Sequence, residues 1–118
     1  MRALVTGGTG FLGNRLCQML TAQGHEALAV DLKAPAVSLQ WAFASCDLTR
    51  EELPAAFKPD VIFHLAAAPW SSVEPRDRIA INVYGTINAV EYAAKIGARL
   101  IFTSSAQIYG PPVYSPQN

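Results

Sequence analysis

The junction between the first apolar run and the first amphipathic segment constrains this chain more than any other feature. Residues 2–6 read RALVT, a short apolar stretch that ends at glycine. The chain continues Thr6-Gly7-Gly8-Thr9-Gly10-Phe11-Leu12-Gly13, and Leu12, Leu16, Met19 and Leu20 then recur at helical spacing. A buried strand, a glycine turn and a helix over 11–23 follow from that pattern. Each glycine has a distinct physical task. Gly7 permits the tight turn, Gly10 removes the Cβ that would keep a phosphate off the backbone, and Gly13 lets the helix lie close to the strand. The free amides and partial positive charge of the helix N-terminus then favour an anion in front of the loop.

An acid in the right place sharpens this reading. Residues 26–31 (EALAVD) form a second strand that ends in Asp31, 18 residues after Gly13. That is near the separation at which a carboxylate meets the ribose hydroxyls of a dinucleotide. The same carboxylate repels a 2′-phosphate, so NAD is expected over NADP. Lys33, two residues on, leaves NADP open.

The remaining pattern extends the alternation. Residues 39–46 predict a third strand, 50–57 at best a short helix, 60–66 (DVIFHLA) a fourth strand, 76–96 a long helix and 99–104 a fifth strand. In the long helix Ile79, Val83, Ile87, Val90 and Ala94 share one face, which reads as the buried one. The proline-rich end, 110–118, predicts no regular element. Continuous apolar strands separated by helices imply a parallel sheet covered on both sides. Right-handed crossovers then give a doubly wound α/β (Rossmann) sheet of order 3-2-1-4-5.

Composition excludes several alternatives. Lys and Arg total nine, as do Asp and Glu, with no basic run. Nothing therefore favours nucleic acid or an anionic membrane as partner. Cys17 and Cys46 form no CxxC pair and no metal-ligand spacing with His25 or His64, so no metal is expected and both thiols read as reduced and buried. No stretch approaches a membrane span, and the start of the chain lacks a secretory signal pattern. A cytoplasmic location is the default expectation.

Five ordered motifs resemble the extended short-chain dehydrogenase/reductase superfamily, and within it the NAD-dependent epimerase/dehydratases that act on nucleotide sugars. They are the TGGTGFLG loop, Asp47-Leu48, His64-Leu65-Ala66-Ala67, Asn82-Val83-Tyr84-Gly85-Thr86-Ile87-Asn88, and Thr103-Ser104-Ser105-Ala106-Gln107-Ile108-Tyr109-Gly110. The resemblance implies cofactor contacts from Gly7, Gly10, Phe11, Leu12, Gly13 and Asp31 on the phosphate and ribose side. It also implies adenine contacts from Asp47 and Leu48, and a nicotinamide-ribose wall from Leu65, Ala66 and Ala67. Asn82 would brace the long helix against strand 4. Thr103 and Ser104 would set strand 5 beside the cofactor, and Ser105 matches the catalytic serine that hydrogen-bonds the sugar oxygen. Plainer roles exist for several of these. Asp47 can cap a helix, His64 can be a hydrogen-bonded core residue, Asn82 a buried polar bracket, and Ser104 and Ser105 ordinary strand-end residues. Tyr109 and Tyr114 read as packing residues, and Trp41 and Trp70 carry no spacing argument.

The family's proton shuttle is a tyrosine with a lysine four residues on. No Tyr-x-x-x-Lys occurs among the 118 residues: Tyr84, Tyr92, Tyr109 and Tyr114 meet Asn88, Ile96, Val113 and Asn118 at that offset. The expectation is one incomplete NAD-binding domain over 1–118, truncated before the later strands and the substrate lobe, and inactive alone. Two other readings stay open: a non-catalytic dinucleotide-binding module or decayed fragment, and a reductase of non-sugar alcohols. A homodimer through the long helix is also implied. An uncovered fifth strand would promote self-association.

Overall fold

The computed structural model describes residues 1–69 and 73–113; Trp70 and Tyr114 lie outside the described residues. The elements run β1 (Arg2–Thr6), α1 (Phe11–Ala22), β2 (Glu26–Asp31), β3 (Ala42–Ser45) and β4 (Val61–His64). They continue with α2 (Pro75–Ile79), a π-helical turn (Ala80–Tyr84), α3 (Gly85–Ile96), β5 (Arg99–Phe102) and a 3-10 turn (Ala106–Tyr109). The five strands pair in parallel in the order β3-β2-β1-β4-β5. The fold is therefore the doubly wound sheet that the apolar pattern implies, with its strand order reversing between β1 and β4.

Strand periodicity divides the core in two. On β1, Leu4 faces one side with Leu28, Val30, Ile62, Ala89, Tyr92 and Ala93. Ala3 and Val5 face the other, with Cys17, Leu20, Ala27, Ala29 and Val61. Cys17 and Cys46 are both buried and free of disulfides. Burial pushes the Cys17 thiol up to about 11 and also raises Cys46, with the charges of Glu51 and Asp47 adding to the latter. Both thiols are therefore poor nucleophiles.

Four expectations are corrected. First, α3 does not bury its large aliphatic face. Gly85, Ala89, Tyr92 and Ala93 meet the sheet, while Ile79, Val83, Ile87 and Val90 are exposed. Second, α1 seats Gly13, Cys17 and Leu20, and leaves Leu12 and Met19 outside. Under α1 the sheet presents Ala3, Ala27 and Ala29 to Cys17 and Leu20; under α3 it presents Leu4, Leu28, Val30 and Ile62 to Ala89, Tyr92 and Ala93. Third, 50–57 is not helical. The segment is a pair of turns, with Arg50 N and Glu51 N bonded to Asp47 O and Phe57 N to Pro54 O. Fourth, Tyr109 is 82% exposed and packs against no core.

Candidate functional site

The carboxyl ends of β1, β2, β3 and β4 surround a cavity of about 370 Å³ at the point where strand order reverses. In an open α/β sheet this crevice is where ligands bind. Gly7, Gly10, Asp31, Asp47, Leu48, Leu65, Ala66 and Ala67 all line it, so eight of the residues singled out from sequence meet at one place. A second cavity of about 580 Å³ shares Ala67 and Ala68 with the first and adds Asn82 and Ser105. The two cavities adjoin at Ala67 and Ala68, the first by the ends of β1 to β4 and the second by the segment after β5.

The glycine loop is built as a cradle. Gly7 takes a φ of +66°, a conformation that favours glycine. A Cβ there would lie 3.0 Å from Ala66 N. At Gly13 a Cβ would overlap the Gly7 carbonyl, which is the packing constraint expected of the third glycine. Gly10 differs, since a Cβ there would meet Gly7 O at 3.2 Å and nothing else within 4 Å. Its bare side opens onto the cavity, not onto protein. The first amides of a helix have no intrahelical partner. In α1 the ladder opens with Asn14 N on Gly10 O at 2.9 Å, leaving the amides of Phe11, Leu12 and Gly13 at the crevice end. The side chains of Phe11 and Leu12 themselves are 93% and 60% exposed and do not line the cavity. A contribution from those two residues is one of backbone.

Asp31 closes β2 at the cavity wall. Its Oδ2 accepts hydrogen bonds from Thr9 Oγ1 (2.7 Å) and Thr9 N (3.2 Å), and its Oδ1 accepts from Leu32 N (2.8 Å). Lys33 is exposed and absent from the cavity lining. Asp47 does not cap a helix. Its Oδ1 accepts from Thr49 N (2.9 Å) and Thr49 Oγ1 (2.6 Å), a local turn that places Leu48 and Thr49 in the wall. Those two bonds, with Arg50 nearby, hold the Asp47 carboxyl below its ordinary range.

Other site residues occupy the far end. Asn82 Oδ1 accepts from Ala68 N at 2.8 Å, which ties the π-helical turn to the segment after β4. Asn82 sits in the π-helical turn, an irregularity often found at functional positions. Ser105 Oγ accepts from Gln107 N at 3.2 Å and lies on the second cavity. Thr103 and Ser104 are exposed beyond the end of β5 and line neither cavity. His64 is buried and hydrogen-bonded on both ring nitrogens.

Several contributors escape the sequence reading. Gly8 has no room for a side chain, because a Cβ would stand 2.6 Å from that of Ala29 on β2. Thr9 orients Asp31, and Val30, Leu32, Cys46 and Thr49 complete the wall. Gly8 and Thr9 lie inside the glycine motif, so their position was visible while their partners, 21 and 22 residues away, were not.

This sheet, crevice and glycine cradle define a Rossmann-type α/β protein. Comparison with known proteins gives the family: residues 3–118 match the NAD dependent epimerase/dehydratase family, and the chain belongs to it. It is 34% identical over 127 residues to UDP-glucuronic acid decarboxylase 2 of Arabidopsis thaliana, covering 99% of this chain and 28% of that protein. It is 37% identical over 132 residues to UDP-glucose 4-epimerase of Mycolicibacterium smegmatis, covering 97% of this chain and 42% of that protein. Among solved structures, a UDP-galactose 4-epimerase superposes with a TM-score of 0.86 at 35% identity, over 98% of this chain and 42% of that one. The Bordetella bronchiseptica enzyme WbmG in complex with NAD gives 0.81 at 33% identity, over 99% and 41%. The chain thus spans well under half the length of these relatives.

Proposed function

We propose that this chain is the NAD-binding portion of an epimerase/dehydratase acting on a nucleotide sugar. The observation that carries the reading is the open face of Gly10 on a crevice closed at its far wall by Asp31. On this reading the pyrophosphate lies against Gly7, Gly10 and the amides of Phe11, Leu12 and Gly13. Asp31 accepts the adenosine ribose hydroxyls, and Asp47 with Leu48 flanks the adenine. Leu65, Ala66 and Ala67 form the wall on the nicotinamide side, Asn82 holds that wall in place, and Thr103 and Ser104 bring the chain from β5 to Ser105. Bound NAD supplies a hydride acceptor for a sugar carbinol carbon. Ser105, which lines the second cavity, would hydrogen-bond the sugar oxygen. The relatives support the cofactor and substrate class, since WbmG is described with NAD, and again with NAD and UDP.

We further infer that the 118 residues, read as a single NAD-binding domain, bind cofactor without turning over substrate. They contain no Tyr-x-x-x-Lys, and general acid–base catalysis of that kind contributes about 10²–10⁴ in rate. A homodimer, if formed, has the exposed Val83, Ile87 and Val90 stripe available to it. The test of cofactor choice is the ratio of NAD to NADP dissociation constants. Tighter binding of NAD is expected from Asp31; tighter binding of NADP overturns the assignment.

A further inference from the structure

His64 is 1% exposed and lies between three elements. Its Nδ1 is 2.8 Å from Thr6 Oγ1 at the end of β1, and its Nε2 is 2.9 Å from Thr86 Oγ1 on α3. The ring also stacks near Phe102 of β5, with centroids 6.1 Å apart. The proton positions follow from the partners. Thr86 Oγ1 lies 2.7 Å from Asn82 O, a carbonyl that can only accept, so the Thr86 hydroxyl donates there. Its lone pair must then take a proton from His64, which places hydrogen on Nε2. On the other side Thr6 Oγ1 already accepts from Leu65 N and Ala66 N, both at 3.2 Å. The Leu65 amide is shared with the Thr6 carbonyl at 3.3 Å; with both amides directed at Thr6 Oγ1, its own proton is left for Nδ1, which is bare in the neutral ring. Burial independently lowers the affinity of the ring for a second proton.

We propose that His64, as the neutral Nε2–H tautomer, is a positioning residue that fixes the backbone of residues 65–68 on the cofactor crevice by clamping Thr6 to Thr86. The geometry gives the clamp two arms. Through Thr6 Oγ1 it anchors the amides of Leu65 and Ala66, which line the first cavity. Through Thr86 it fixes the Asn82 carbonyl, and the same asparagine holds the amide of Ala68, which lines both cavities. Loss of one arm leaves a buried N–H without an acceptor, and the loop backbone must shift to relieve it. The role in cofactor affinity rests on the NAD reading above; the role in loop geometry does not.

The experiment is nitrogen-15 NMR of the full chain, wild type against Thr86→Val and Thr86→Ser, with calorimetric titration of NAD into each. Expected are imidazole nitrogen shifts of the Nε2–H tautomer at neutral pH, and displaced Ala66 and Ala68 amide resonances in Thr86→Val. The NAD dissociation constant of that variant should rise about tenfold, the loss of a buried hydrogen bond. Thr86→Ser, which keeps the hydroxyl, restores all three. An Nδ1–H tautomer or a charged ring in the wild type overturns the proposal. So does a Thr86→Val chain that melts earlier yet keeps its Ala66 and Ala68 resonances and NAD affinity, since that outcome describes a structural role alone. If the wild type binds no NAD, the cofactor reading fails and the amide resonances decide the clamp. If Thr86→Val does not fold, the wild-type tautomer and its retention in Thr86→Ser decide it.

Discussion

Thr9 Oγ1 donates to Asp31 Oδ2 across 2.7 Å, tying the glycine loop to the end of β2. Leu32 N holds the other carboxylate oxygen. Thr9 and Leu32 occupy three of the carboxylate's roughly four acceptor sites, so the group is oriented and keeps one site, on Oδ1, for a ribose hydroxyl. Asp31→Asn keeps the shape but loses the charge and half of the acceptor capacity. Hydrogen bonds to charged groups contribute about 1.5–3 kcal/mol. The expected result is NAD binding weakened about tenfold to hundredfold, with NADP weakened less, read by calorimetry.

Two glycines should separate folding from binding. In Gly13→Ala the new methyl overlaps the Gly7 carbonyl, and overpacking of that kind costs about 1–3 kcal/mol. In Gly10→Ala the methyl faces the crevice. Gly13→Ala is expected to lower Tm by several degrees, whereas Gly10→Ala melts near the wild type and loses NAD affinity. Thermal melts with and without cofactor distinguish them.

Which face of α3 meets the sheet is equally testable. Ile87→Glu lies on the exposed stripe and Ala89→Leu on the buried one. The first is expected to change stability by no more than about 0.5 kcal/mol, as surface substitutions usually do. The second is expected to cost about 1–3 kcal/mol through overpacking. Urea unfolding midpoints give both values.

Acid sensitivity has a defined source. His64 is held neutral by burial, with its pKa below the ordinary 6.5. In the unfolded chain the ring takes up a proton near the ordinary value, so below that pH the unfolded state binds more protons than the folded one. Stability then rises with pH. It is complete above about 6.5 and declines as pH falls toward the lower folded value. The depressed Asp47 carboxyl acts with the same sign, but below the ordinary carboxyl value of 3.8. Tm measured from pH 7.5 down to 5 should fall, and His64→Gln should flatten that slope.

Strand order was legible because β1, β2 and β4 are continuous apolar runs and the glycine turn fixes the first crossover. Gly7, Gly10 and Asp31 were legible because they lie where strands end, and strand ends meet at one edge, whereas Asp47, Leu48, Leu65, Ala66 and Ala67 were marked by the resemblance of their motifs to the family. The buried helix faces were not. Periodicity weights large apolar side chains, which picked Leu12 and Met19 on α1 and Ile87 and Val90 on α3. The sheet instead receives Gly13 and Cys17, and Ala89 and Ala93, because close packing on a flat surface favours small residues. The π-helical turn at Ala80–Tyr84 also inserts a residue and rotates the stripe, which no count of i+4 steps anticipates. The pairings of Thr9 with Asp31 and of His64 with Thr86 were hidden for a simpler reason. Each joins residues 22 positions apart that the crossover alone brings together.

The most direct measurement is a nitrogen-15 amide spectrum of the full chain titrated with NAD. Saturable shifts gathered on the crevice, at Gly7, Gly10, Phe11, Leu12, Gly13, Asp31, Asp47, Leu48, Leu65, Ala66 and Ala67, are the expected result. An unchanged spectrum at millimolar NAD, or shifts gathered away from the carboxyl ends of β1, β2 and β4, would contradict the placement of a dinucleotide in this crevice.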